Sequence, residues 1–134
     1  MDEWNTYGQA REALRADVLS FASQLGGRCT TLMDSGGVAA GAACVSDAYQ
    51  DVPGDIDAAA SALRNAASSG ACGNAATDVE IALRRLGDAG DELIAAFHAV
   101  DVSRVTAAMP VVSARSGGYV DADAVLMGAC QPAA

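Results

Sequence analysis

Four cysteines, Cys29, Cys44, Cys72 and Cys130, are the residues of this chain whose type and spacing most plainly suggest chemistry. None belongs to a Cys-x-x-Cys pair and none stands beside a histidine cluster, so the spacing of a zinc site is absent. An even number of cysteines without metal spacing points to disulfides, and these persist in an oxidising compartment. The rival chemistry is a nucleophilic thiolate: Cys29 follows Arg28, a cation that favours the charged form. The pairing follows from hairpin geometry, because residues equally far from the turn of an antiparallel hairpin face each other. A turn at Asp34-Ser35-Gly36-Gly37 lies midway between Cys29 and Cys44, and Asp101 lies midway between Cys72 and Cys130. Of three possible connectivities, this selects Cys29 with Cys44 and Cys72 with Cys130.

The remaining candidates are weaker. His98 is the only histidine, which excludes two-histidine metal sites, and its position just before Asp101 near a predicted helix C-terminus suits a dipole-capping role. A di-iron carboxylate site needs Glu-x-x-His, and neither Glu80 nor Glu92 has a histidine three residues on. Met33, Met109 and Met127 could pair with His98 on a haem, but methionines in a thin core are ordinarily gap-fillers and no Cys-x-x-Cys-His attachment motif exists. Asp51, Asp55 and Asp57 lack the spacing of an EF-hand loop and read as a solvated helix start. The pairs Gly26-Gly27, Gly36-Gly37 and Gly117-Gly118 form no phosphate-binding loop and read as turns. The chain is therefore expected to hold no catalytic residues, no metal and no cofactor.

The elements that must position these residues are helices. From Trp4 the apolar residues step through Tyr7, Leu14, Val18, Phe21, Leu25 and Leu32 at helical spacing, interrupted where Arg11 and Arg28 occupy the stripe. This predicts a first helix of about thirty residues, started by Asp2 and Glu3 and weakened at Gly26-Gly27. A second arm runs from Gly37 to Ser69, with a kink or restart at Pro53 and Asp51 as its cap. Ser68 to Asn74 reads as a loop, and Thr77-Asp78-Val79-Glu80 as a capping box opening a third helix through Val79, Leu83, Leu86, Leu93 and Phe97. Gly90 within that stripe marks a close approach to a neighbour, and Asp101 ends the helix or caps the next. The fourth arm is predicted to be broken, because Pro110 and Ser116-Gly117-Gly118 interrupt it. The expectation is a single domain over 1–134: an all-α, up-down-up-down four-helix bundle with a kinked second helix, a broken fourth helix and two disulfides.

Within the fourth arm, Tyr119-Val120-Asp121-Ala122-Asp123 resembles the Tyr-x-x-x-Asp/Glu pattern of helical-hairpin substrates of type VII secretion. The chain departs from that family in its hairpin turn, where the companion Trp-x-Gly is missing and Trp4 is followed by Asn5-Thr6. The resemblance is carried no further.

Seventeen acidic residues stand against eight basic ones, all arginine, for a net charge of −9. That balance argues against nucleic acid and anionic lipid surfaces, which need basic patches, and favours a basic partner if there is one. No apolar run approaches the length of a membrane span. The sequence opens without a leader, so an exported protein would have lost one ahead of Met1. The composition resembles that of small Ala-rich exported proteins of GC-rich bacteria. The expected function is a non-enzymatic binding or structural protein of the cell envelope or secreted fraction. The alternatives are an acidic inhibitor or immunity-type protein that blocks a basic partner, and a carrier of a small apolar ligand.

Overall fold

In the computed structural model, which describes residues 2–66 and 70–130, the described residues are helical apart from short breaks at 50–51 and 99–101, with no strand among them. Helix α1 spans Asp2–Gln24 and passes through a π-turn at Leu25–Cys29 into α2, Thr30–Tyr49. Helix α3 spans Val52–Ala66, α4 Gly70–His98 and α5 Val102–Cys130. One apolar core takes side chains from every helix, Tyr7, Leu14, Val45, Leu63, Leu83, Leu93, Phe97 and Leu126 being among its most enclosed members.

The first reversal is a single residue. Gly37, at φ 78° and ψ −173°, breaks the helical path inside α2. In a straight helix, fifteen residues would separate Cys29 from Cys44 by about 22 Å. Their Cα atoms lie 5.5 Å apart and their sulfurs are bonded. The arms approach closely enough that a Cβ on Gly41 would run into the Met33 side chain. The second long hairpin, α4–α5, is closed at its far end by Cys72–Cys130, with Cα atoms 4.6 Å apart. Both disulfides are those selected by the hairpin arithmetic, and they point to an oxidising, extracytoplasmic environment.

The π-turn explains a misfit in the sequence. It inserts an extra residue into one turn, which rotates everything that follows relative to a strict helical stripe. Cys29 therefore turns inward to full burial, Arg28 turns out to donate a 2.9 Å hydrogen bond to Gln24, and Leu32 is left exposed rather than buried. At the α4–α5 turn, Val100 N–H bonds to the Phe97 carbonyl and Asp101 N–H to the Ala96 carbonyl. This is the Schellman pattern, with Val100 at φ 52° where glycine is usual. The Asp101 carboxylate accepts from the Arg104 backbone N–H at 3.1 Å and so caps α5.

Three sequence expectations are corrected. The Ser68–Asn74 loop is helical from Gly70 onward, because α4 buries Ala75 and Ala76 and is stapled at Cys72; Ser68 and Ser69 lie outside the described residues. Thr77 is consequently no cap but a residue inside a helix, its hydroxyl donating back to the Gly73 carbonyl at 3.0 Å. The fourth arm is one continuous helix. Pro110 removes a bond to the Thr106 carbonyl, but both residues face solvent, where that carbonyl can be hydrated, and packing along α4 holds the helix on either side. At Pro53 the chain does restart: Gln50 and Asp51 separate α2 from α3, and Pro53 falls in the first turn, where its missing N–H costs nothing.

Candidate functional site

The seam between α1 and α5 is the part of the core that the sequence leaves unfilled. The α4–α5, α1–α3, α3–α4 and α2–α4 pairs pack against each other, whereas α1 and α5 approach closely at isolated points at most. Side-chain size accounts for the difference. Where α5 turns toward α1 it offers Val112, Ser113 and Ser116, and the facing arm answers with Val18 and Ala22 of α1 and Gly26 of the π-turn, none of them long. What remains between them is a cavity of about 380 Å³, walled by Phe21 and Leu25 and floored by Leu93 of α4, with Met109 at its rim. A second cavity of about 190 Å³ adjoins it, sharing Val18 and Ser116 and reaching Leu14, Arg15, Leu86 and Tyr119. The π-turn borders one end, where the Thr30 hydroxyl donates to the Leu25 carbonyl at 2.5 Å. π-Turns of this kind gather at functional positions in helices.

The other end of the seam is closed by a polar clasp. Asp123, only 5% exposed, accepts from the Tyr7 hydroxyl on Oδ1 and from Arg11 Nε on Oδ2, each at 2.6 Å. The Tyr7 and Tyr119 hydroxyls lie 3.2 Å apart, and Trp4 stacks edge-on to Tyr7 with ring centroids 6.2 Å apart. Burial, followed by the bond to Asp123, drives the Tyr7 phenol far above its ordinary pKa, and burial likewise raises that of Tyr119. Neither phenol is a usable base or nucleophile near neutrality. For Arg11, burial opposes the charge, but the bonds to Asp123 outweigh it and hold the guanidinium above its ordinary value. The clasp is thus a charge-assisted tie between α1 and α5.

A second polar feature lies across the molecule. Asp17 of α1, with Asp47 and Asp51 near the α2–α3 break, lines an open polar hollow of about 460 Å³ in which three carboxylates outnumber the one guanidinium, Arg28. Beside it, burial, then the adjacent Asp17 carboxyl and the Asp51 charge, push Asp55 up to about 6, and one Asp55 oxygen is buried with no hydrogen-bond partner. No three His, Cys, Asp or Glu side chains among the described residues converge as metal ligands.

The structure joins Cys29 to Cys44 and Cys72 to Cys130, and leaves His98 exposed at the α4 C-terminus while Asp101 caps the next helix. Met33 fills space beside Gly41, and Met109 borders the cavity, far from His98 in sequence and on another helix. The clasp was not read from the sequence, although two signals were present: Arg11 interrupting an apolar stripe, and Tyr119 with Asp123 one turn apart on one face of α5. No protein-family model, curated protein or solved structure matches the chain. Among the described residues, no helix is long and apolar enough to cross a membrane.

Proposed function

We propose that this protein is an exported, non-enzymatic binding protein that carries a small apolar ligand in the seam between α1 and α5. One observation carries the reading: the cavity of about 380 Å³ lies in the size range of small-molecule sites and has walls of Val18, Phe21, Leu25, Leu93, Met109 and Val112. The four arms, counted as 2–36, 37–66, 70–98 and 102–130, form in this reading an up-down-up-down bundle whose last seam is reserved for the ligand. Disulfides suit such a carrier, since they hold the surrounding helices together while one seam stays unfilled. The test is saturable binding of Nile red, a neutral dye whose emission shifts in apolar surroundings. One site per chain is expected, abolished by Val112→Trp. Absence of saturable uptake by the unmodified protein would sink the proposal.

A second reading, an acidic inhibitor of a basic protein, is supported by the hollow at Asp17, Asp47 and Asp51 and by the net charge of −9. It predicts capture of a specific basic partner at low salt that is lost at moderate salt, as screening shortens the reach of the charges.

A further inference from the structure

We infer that the ligand of this seam is a single-chain carboxylic acid, its head held by Arg15 and its tail laid between α1 and α5 toward the π-turn. The inference rests on the carrier reading above and narrows it to one chemical class.

Four features converge on that class. The two cavities adjoin across Val18 and Ser116, so a chain laid along α1 passes from one to the other and uses both. Among the described residues lining either cavity, Arg15 alone carries a charge, and it stands at the end of this path farther from the π-turn. Its ion pair with Glu12 is 3.8 Å long and exposed on both sides, so the guanidinium gives up little by turning to a ligand. A planar guanidinium fork matches a carboxylate in geometry as well as charge.

Width and direction follow from the ends. At the clasp, Tyr7 and Arg11 of α1 reach Asp123 of α5 directly, at 2.6 Å. Helices tied that closely cannot admit a third helix of about 10 Å diameter between them, whereas an alkyl chain enters in single file. At the opposite end the Thr30 hydroxyl is already bonded to the Leu25 carbonyl, so the walls there are apolar and suit a methyl terminus. Length can be estimated as well. From Arg15 to Gly26 the helix rises about 16 Å, and an extended carbon chain advances about 1.25 Å per carbon, which gives about twelve to fourteen carbons. The overall negative charge does not oppose this, because distant carboxylates are screened beyond about 8–10 Å while the head lies against Arg15.

The test is calorimetric titration of the whole, disulfide-intact chain with dodecanoate, 1-dodecanol and dodecylammonium below their aggregation limits. Arg15 is exposed, so Arg15→Gln and Arg15→Lys leave the core untouched. The unmodified protein is expected to bind dodecanoate about tenfold more tightly than dodecanol, the worth of a charge-assisted pair. Arg15→Gln should erase that preference and Arg15→Lys restore part of it. Equal binding of acid and alcohol, unchanged in Arg15→Gln, would overturn the head-group assignment and leave the carrier reading standing. Failure of all three chains to bind would remove both. Preference for dodecylammonium would overturn the inference in favour of the surrounding acidic surface. A dimer in sedimentation that Val120→Asp disperses would place a second copy on the seam and overturn it too.

Discussion

The two sides of α5 make a controlled comparison, because one helix packs closely along α4, with surface grooves beside Arg85 and Arg104, and meets α1 along an open apolar seam. Toward α4, α5 buries Val105, Ala108 and Leu126 in the core to which α4 contributes Leu83, Leu93 and Phe97. Toward α1, only the clasp at Tyr119 and Asp123 is buried, and the stretch from Val112 to Ser116 stays half-covered or exposed. Helix propensity does not separate the two sides, since both are faces of one continuous helix. What separates them is the volume of side chain each offers, so a seam opens wherever both partners are small.

The comparison can be broken most severely at the clasp. Asp123→Ala leaves the Tyr7 hydroxyl with Tyr119 alone and Arg11 with the exposed Glu12. Since Arg11 is partly solvated, the loss should fall at the lower end of the cost of breaking a buried ion pair, about 3 kcal/mol. The measurement is chemical denaturation of the disulfide-intact chain, with Arg11→Met/Asp123→Leu as the double variant that should recover most of the loss. Close packing away from α5 is probed at Gly90, where α4 meets α2 and the Tyr49 hydroxyl and ring occupy the place a Cβ would take. Gly90→Ala should destabilise by about 2 kcal/mol through overpacking. Tyr49→Phe should relieve only part of it, since the ring carbons crowd the same place, although the hydroxyl it removes is buried without a partner. The open side predicts the opposite sign for an enlargement. Ser116→Leu, filling the junction of the two cavities, should raise stability by about 1 kcal/mol and abolish dye uptake in the same sample.

The smallest effect is one of pH, remote from both seams. The folded pKa of Asp55, about 6, lies above its ordinary value, so the folded state holds a proton that the unfolded chain releases. Stability from this group is therefore greatest below about pH 4, declines as pH rises through the window from about 4 to 6, and stays reduced above it. Asp55→Asn should flatten that decline and add about 1 kcal/mol at pH 7, after allowing for solvent screening of a half-buried carboxyl. Thermal unfolding from pH 4 to 8 measures it, and identical slopes in both proteins would refute it.

What was legible in the sequence was whatever repeats along the chain. The apolar steps gave the helices, the symmetric placement of Cys29 with Cys44 and of Cys72 with Cys130 gave the pairing, and Gly90 in an apolar stripe gave the close approach. What depends on another helix was not legible. Pro110 looks like a break because its own turn loses a bond, and only its solvent-facing position and the α4 surface beneath explain why the helix continues. Thr77-Asp78-Val79-Glu80 has the composition of a cap, and the packing of Ala75 and Ala76 ahead of it moves the helix start to Gly70. The clasp joins residues more than one hundred positions apart, and the cavity is a property of what two distant helices both lack.

The disulfides also decide what a protease can accomplish. Both long hairpins expose their bends, Gly37 in one and Val100 in the other, and each bend lies inside a ring closed by its own sulfur bridge. Hydrolysis of a single peptide bond at either bend opens a ring without releasing a fragment, so the nicked molecule keeps its mass apart from one added water, its helices and its neighbours. In an oxidising compartment, damage at the exposed bends of this chain would go unnoticed by the fold until a reductant arrived.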